Sequence, residues 1–282
     1  MAAMQLFVDR LTNIDCSYLH PDHGIEGESW LVDIVLAGEL DDASMIMDFG
    51  LVKKRIKALI DYTVDHCLLV PGKSAALHNW QQQSGQVELR WQDHAGRSWE
   101  LASPAQALCR IETDAITPQT VAVYLQHMLH DNLPDGIEVA DIQLYTPQIE
   151  GPYYHYSHGL KKHDGNCQRI AHGHRSRLEI WRNGEPDGET TAAWASRWAH
   201  IYLVSQEDII SQEGGQLVSG YDAPQGTFRL SAPRECCDAL PYDSTVERIA
   251  QHIAETLKTH DPASEWRVKA YEGIGKGALF TT

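Results

Sequence analysis

The chain has 282 residues, of which 43% are hydrophobic and 22% charged, so it is long enough for two domains with sizeable cores. No apolar run approaches the roughly 18 residues of a membrane-spanning helix, and residues 1–6 lack the features of a secretory signal, so we expect a cytoplasmic protein. The net charge of −16 argues against a nucleic-acid-binding surface, because such surfaces are normally basic.

The acidic charge is not evenly distributed along the sequence. Residues 151–182 carry six Lys and Arg side chains against two acidic ones, a local balance of +4, and contain five of the fifteen histidines. This composition favours a site for a metal and a small anionic ligand, or else a solvated basic face. The six cysteines show no paired spacings, which is typical of free thiols in a reducing compartment.

In chain order, the first half predicts alternating strands and amphipathic helices. We expect a strand over 30–36, a helix over 51–62, a hairpin over 87–101, a helix starting near Thr117, a strand over 137–145 and an extended piece over 152–156. The second half repeats this order. It predicts a strand over 178–181, a helical region over 191–202, a helix starting at Thr245, a strand over 266–271 and a last extended piece over 278–281.

This repetition indicates a tandem duplication with halves 1–150 and 151–282. Strands joined by hairpins and followed by helices predict an α+β fold, in which helices cover one face of antiparallel sheets. Corresponding motifs lie further apart in the first half than in the second, and we expect the hairpin over 87–101 to be the additional segment.

His172-Gly173-His174 is the most specific chemical signal in the sequence. Residues i and i+2 of a strand point the same way, so the two imidazoles converge. His158 precedes the motif by fourteen residues and could supply a third nitrogen from a neighbouring strand. Three His ligands leave the fourth position of a tetrahedral zinc ion open to substrate. From the residues alone, the alternative is a solvent-facing His pair on an edge strand.

Three further features could carry chemistry. Cys167 lies in the basic segment, which favours a thiolate. Asp65-His66 is a carboxylate–imidazole pair that could orient a base if it lies at a turn. Glu272, at a predicted strand end, could accept two hydrogen bonds from the edge of a heterocycle. Taken singly, each of these residues could also be an ordinary core or surface residue.

Together, these features resemble the 6-pyruvoyltetrahydropterin synthase and 6-carboxytetrahydropterin synthase family of tunnelling folds (T-folds). The second half matches the family pattern at 154–158, Cys167, 172–174, 245–250 and Glu272, and the first half matches it at 48–49, 65–66 and 117–122. Two departures stand out. Glu26-Gly27-Glu28 replaces His-Gly-His in the first half, and the second half lacks an Asp-His pair, Ala199-His200 being a candidate that we do not accept.

The resemblance implies two T-folds in one chain and an assembly of their sheets into a barrel-type homo-oligomer. The roles that it implies are zinc binding by His158, His172 and His174, catalysis by Cys167, Asp65 and His66, and substrate binding by Glu272, Thr245 and Glu247. The Asp-His pair occurs only in the first half, and the His-Gly-His motif, Cys167 and Glu272 occur only in the second. We therefore expect one composite site with about one zinc per chain, formed within a chain or between chains, and a first half that binds neither zinc nor pterin by itself.

The implied activity is that of a zinc-dependent lyase that acts on 7,8-dihydroneopterin triphosphate and releases triphosphate. The product would be 6-carboxytetrahydropterin, a step towards queuosine, which we favour, or 6-pyruvoyltetrahydropterin. The basic residues near the metal would receive the triphosphate. Two alternatives remain at this point: another T-fold enzyme acting on a pterin or purine, and a non-catalytic protein that binds zinc or a pterin.

Overall fold

The computed structural model describes residues 4–282. The elements of the first half are β1 (Gln5–His20), β2 (Gly24–Gly38), α1 (Phe49–Thr63), β3 (Leu68–Pro71), β4 (Leu77–Gln83), β5 (Gln86–Gln92), β6 (Ser98–Pro104), β7 (Leu108–Ile111), α2 (Pro118–His130) and β8 (Ile137–Tyr145). None of the helices within the described residues is both long enough and apolar enough to span a membrane.

The second half repeats the order of elements. They are β9 (Tyr153–His158), β10 (His172–Arg182), β11 (Glu185–Pro186), α3 (Gly188–Arg197), β12 (His200–Ser205), β13 (Ile209–Glu213), β14 (Gln216–Ala223), β15 (Gly226–Pro233), β16 (Cys237–Leu240), α4 (Val246–His260), β17 (Trp266–Tyr271) and β18 (Gly277–Thr281). The predicted helix starts at Thr117 and Thr245 are confirmed, since these residues directly precede α2 and α4.

Each half builds its own main sheet with the same central order. The first sheet runs β7-β3-β1-β2-β8, and the second runs β16-β12-β9-β10-β17-β18 with β11 beside β10. In both, two antiparallel strands lie at the centre and a parallel strand lies beside the first of them. The predicted α+β architecture is confirmed.

Helices cover one face of each main sheet because their apolar sides match its buried side chains. In α4, the residues at helical spacing that enter the core are Val246, Ile249, Ala250, Ile253 and Ala254. The start of α2 is fixed by a capping box, in which the Thr117 hydroxyl accepts the Thr120 backbone N–H at 3.1 Å. Separate cores therefore lie under the helices of each half.

A third sheet joins the two halves, in the order β13-β14-β15-β6-β5-β4. Trp91 and Trp99 from the first half and Phe228 and Leu230 from the second pack in one shared core. The prediction that the hairpin over 87–101 is additional to the first half is therefore wrong, because β14 and β15 are its counterpart. Part of the difference in length lies in the helices, since α1 has 15 residues and α3 has 10.

Two other predicted elements differ from the structure. The helical region over 191–202 ends at Arg197, and β12 begins at His200, because the apolar run 201–204 forms a fully buried strand. The extended piece over 152–156 belongs to β9, the first strand of the second half, and does not close the first half.

The two halves approach each other backbone to backbone at their glycine motifs. The Ser17 and Ser157 hydroxyls lie 2.8 Å apart and are fully buried, and a Cβ on Gly173 would lie 2.7 Å from the Gly27 Cα. A side chain at either glycine would separate the halves, which accounts for glycine in both motifs. This close contact brings the turn after α1 next to the His-Gly-His strand of the other half.

Candidate functional site

Three histidines converge at the centre of the second sheet. The register places His158 of β9 opposite His172 of β10, while His174 lies two residues further on the same face. The three side chains each offer a ring nitrogen, and these nitrogens lie within 4.8 Å of one another. All three residues are at most 1% exposed. This triad has the compactness that metal coordination needs.

Hydrogen bonds fix the ring orientation of the triad. His158 Nδ1 donates to the Ser244 carbonyl at 2.9 Å, and His172 Nδ1 donates to the Arg169 carbonyl at 2.9 Å. Their Nε2 atoms have no hydrogen-bond partner among residues 4–282. Burial lowers the pKa of both rings well below its usual value. Neutral, oriented imidazoles with unpartnered nitrogens fit a divalent metal ion such as zinc.

Asp15 of the first half orients the third histidine. Its Oδ1 lies 3.3 Å from His174 Nδ1 and accepts the Ser29 hydroxyl at 2.5 Å. Although burial opposes ionisation, His174 and Ser29 lower the pKa of Asp15 to about 2, so the carboxylate is charged. The interaction leaves His174 Nε2 for a ligand. Sequence reasoning missed Asp15, because its partner lies 159 positions away and only the contact between the halves brings them together.

The Asp65-His66 pair lies at a turn directly after α1. Adjacent side chains on a strand would point to opposite faces, so only a turn lets these two meet. Asp65 Oδ2 lies 2.6 Å from His66 Nδ1, while its Oδ1 accepts the Asp15 backbone N–H at 2.8 Å. The backbone N–H of His66 donates to the Asp15 carbonyl at 2.7 Å, and His66 has a φ of 54°. These bonds hold a left-handed backbone conformation that is uncommon outside glycine. The imidazole is thereby directed towards the second half.

Cys167 meets this imidazole from the other half of the same chain. The reactive atoms of His66, Cys167 and His172 lie within 4.8 Å of one another, and Cys167 is partly exposed. Burial opposes charge on His66, but hydrogen bonds to Asp65 and Cys167 outweigh it and raise its pKa to about 10. At neutral pH, a cationic imidazole therefore lies beside the sulfur and can hold or return a proton.

Glu272 lies at the end of β17, near the triad. Its Oε1 is 3.9 Å from His174 Nε2, its Oε2 is 3.7 Å from Lys276 Nζ, and its side chain is 22% exposed. A cavity of about 450 Å³ is lined by its neighbours Tyr271 and Gly273 together with Arg177 and residues 147–150. A carboxylate that is close to the triad and open to solvent can contact a small ligand held there.

The comparison with protein families gives a direct match over both halves. The family model for 6-pyruvoyl tetrahydropterin synthase matches residues 10–151 and again residues 148–282. The chain belongs to the 6-pyruvoyl tetrahydropterin synthase family. Its two main sheets are two T-folds in tandem, as the sequence predicted.

Solved structures of this family are similar to part of the chain. The 6-pyruvoyltetrahydropterin synthase of Plasmodium vivax has 15% identity and a TM-score of 0.39, covering 53% of this chain and 100% of its own. The Plasmodium falciparum enzyme has 14% identity and a TM-score of 0.39, with 52% of this chain and 100% of its own covered. Among curated proteins, no match was found.

Two residues that the family resemblance assigned to substrate binding lie at the start of α4, just after Ser244, which bonds to His158 of the triad. Glu247 is exposed on α4, and Thr245 lines a separate surface cavity with Lys162 and Arg248. Within residues 4–282, no hydrogen bond or ion pair joins either side chain to the triad or to Glu272. Their role in binding substrate stays a prediction.

The basic residues of 151–182 all contact other residues of the chain. Lys161 pairs with Asp208 at 2.5 Å, Lys162 pairs with Asp243 at 2.8 Å, and Arg169 donates to the Cys67 thiol at 2.9 Å. The others are also engaged: Arg175 with the Pro147 carbonyl, Arg177 with Glu179, and Arg182 with Asp261. Four of the six residues thus pair with carboxylates, while the partners named for Arg169 and Arg175 are uncharged. That basic residues near the metal receive the triphosphate stays a prediction.

The first half carries a second polar cluster at the position that corresponds to the triad. By register, Tyr18, Glu26 and Glu28 occupy the places of His158, His172 and His174. Burial raises the pKa of Glu28 to about 7. His200 of the second half corresponds to His66 of the first. His66 precedes Leu68, the partner of Ser17, by two residues, and His200 precedes Tyr202, the partner of Ser157, by two residues. Ala199-His200 lacks the carboxylate of Asp65, which hid this equivalence in the sequence.

Proposed function

We propose that the chain is a zinc-dependent lyase of pterin synthesis with one composite active site. Its substrate would be 7,8-dihydroneopterin triphosphate, and its products would be triphosphate and 6-carboxytetrahydropterin. In that reaction water is consumed, and the bond between the first and second side-chain carbons breaks, so that the two outer carbons leave as acetaldehyde. The less favoured pterin product, 6-pyruvoyltetrahydropterin, keeps all three side-chain carbons. The observation that carries the proposal is the group formed by His66 of the first half with Cys167 and His172 of the second. This group combines the Asp-His pair of the first half with the Cys167 and His-Gly-His motifs of the second half within one chain.

The triad would hold the metal. A zinc ion bound there would supply Lewis-acid polarisation of the hydroxyls on the substrate side chain. His158 and His172 present unpartnered Nε2 atoms, and Asp15 orients His174, so the three rings need little rearrangement to bind. Because the rings are buried, substrate would reach the site from the side of Cys167 and Glu272, which are both partly exposed.

The proton transfers fall to Cys167 and His66. The Cys167 sulfur would remove a proton from the substrate side chain as the general base. His66 would stabilise the charge on the sulfur, hold a proton at its ring and return it, while Asp65 fixes the ring through the 2.6 Å contact to Nδ1. In this assignment, Asp65 is a positioning residue, because its carboxylate bonds to His66 Nδ1 and to the Asp15 backbone N–H.

Glu272 would anchor the heterocycle. The carboxylate of Glu272 could accept two parallel hydrogen bonds from the amino-pyrimidine edge of a pterin, a geometry that provides affinity and orientation together. Thr245 and Glu247 would contribute from the start of α4, which follows Ser244 beside His158. We further propose that the halves 1–150 and 151–282 act as one catalytic unit and that such units assemble into a homo-oligomer.

The proposal is tested by the pterin product. Zinc-loaded protein is incubated with 7,8-dihydroneopterin triphosphate, and the pterins are identified by mass spectrometry. We expect a carboxy- or pyruvoyl-tetrahydropterin to accumulate with triphosphate, and the mass of the pterin identifies the reaction. Intact substrate in the presence of metal-loaded, folded protein would contradict the proposal and favour another T-fold reaction or a binding role.

A further inference from the structure

A histidine cluster in the first half lies outside the proposed active site. It consists of His20 at the end of β1, His23 from the turn between β1 and β2, Glu26 at the start of β2, and His200 at the start of β12. The cluster therefore joins both halves, as the active-site group does. The sequence reading assigned no function to any of these residues.

The side chains of this cluster are close enough to share one ion. His20, His23 and Glu26 each offer a ligand atom, and these atoms lie within 4.8 Å of one another. His200 Nδ1 lies 2.7 Å from Glu26 Oε2, and the rings of His23 and His200 are stacked with centroids 3.5 Å apart. His23 Nδ1 contacts the same Oε2 as His200 does, and a further imidazole, that of His155, has its Nδ1 3.9 Å from Glu26 Oε1.

Several features favour an ion over a set of simple ion pairs. His23 Nδ1 and His200 Nδ1 share one oxygen, Glu26 Oε2, and the 2.7 Å contact of the buried His200 Nδ1 lacks hydrogen-bond geometry. Buried polar atoms in this state are rare in native structures. Glu26 is only 5% exposed, and Tyr18 donates to its Oε1 at 2.8 Å, which orients the carboxylate from behind.

We propose that His20, His23, Glu26 and His200 form a second binding site for a divalent transition-metal ion. Nitrogen and oxygen donors of this kind suit zinc, cobalt or nickel. The side chains of His23 and His200 are 33% and 34% exposed, so an ion can enter from solvent. This site departs from the expectation of about one zinc per chain. Its ligands come from both halves, since His200 of β12 joins His20, His23 and Glu26, and Glu28 has no part in it.

The site resembles the active-site group in its placement and differs from it in its chemistry. By register, Glu26 corresponds to His172 and His200 to His66, whereas His23 lies before Glu26 much as Cys167 lies before His172. No thiol belongs to this cluster within the described residues, and Asp22, which directly precedes His23, contacts the His94 ring at 2.9 Å. We therefore assign it metal binding, which can tie the two halves together, and no part of the lyase reaction.

The test is a metal count that separates the two sites. Metal-free protein is dialysed against Zn²⁺ with a weak competing chelator, and bound zinc is measured by mass spectrometry of the elements. We expect two ions in the unmodified chain, one in His172→Ala, one in His23→Ala and none in the variant with both substitutions. His130→Ala, which changes an exposed histidine on α2, should keep both ions.

Failure of this site and failure of the proposed enzyme would give different results. One ion in the unmodified chain that survives His23→Ala and disappears in His172→Ala would overturn the second site and leave the lyase proposal intact. His200→Ala checks the result at an independent ligand, and circular dichroism confirms that each variant is folded. As a direct readout, Co²⁺ added to His172→Ala should give visible d–d bands that His23→Ala removes, and their absence would also contradict the proposal.

Discussion

Cys167→Ala is expected to reduce turnover by roughly 10²- to 10⁴-fold, the range typical for loss of a general acid–base group. In the proposed site the sulfur would face the substrate, since Cys167, like His66, is partly exposed while His172 is fully buried. Metal content and pterin affinity should change little, because neither depends on the thiol. Measuring the rate of triphosphate release together with equilibrium binding of a pterin separates the two effects.

A matched control is available in Cys236, whose thiol lies in the core shared by the halves and contacts Arg97. Cys236→Ala should retain turnover in the folded protein. If Cys167→Ala kept most of the unmodified rate, the assignment of the general base would be wrong. A protein that only binds pterin would instead show the same affinity in both variants and no turnover in the unmodified chain.

His172→Ala should have the second large effect, because this residue belongs to both groups. Its Nε2 faces the other two rings of the triad, and its ring lies beside His66 and Cys167. Loss of an outer hydrogen bond to a metal ligand typically weakens binding about 10- to 100-fold, and loss of a ligand itself should weaken it further. We expect the triad to release its ion and turnover to fall to background.

His163→Ala is the control for this change, since His163 is exposed and lies in the loop between β9 and β10. It should retain the ion of the triad and the activity. Turnover that persisted in His172→Ala after its metal had been removed would show that the reaction does not use the triad. Addition of zinc to His163→Ala after chelation should restore activity, and addition to His172→Ala should not.

Local signals made much of the fold predictable. Thr117 and Thr245 stand at the starts of α2 and α4, and alternating apolar residues mark the long strands. His-Gly-His identified the triad because a strand repeats every two residues, so the spacing alone determines the common face. These features depend on neighbours in the sequence, and for that reason a single chain reveals them.

Features that depend on contact between the halves were not predictable in the same way. The pairing of β15 with β6 joins residues more than 100 positions apart, and the hairpin therefore looked like an insertion. His200 was dismissed because Ala199 precedes it, whereas its equivalence to His66 follows from strand register. The basic residues of 151–182 looked free because their acidic partners, Asp208 and Asp243 among them, lie in distant segments.

The central claim is that one chain contains the whole composite site, and mixing two inactive variants tests it most directly. His66→Ala removes the contribution of the first half and Cys167→Ala that of the second. The two are produced in one cell, purified together and assayed beside the unmodified protein. If the site lies within a chain, no molecule in the mixture is complete, and the activity should not exceed that of either variant alone. Recovery of a substantial fraction of the unmodified rate would show that the site forms between chains and would contradict the account.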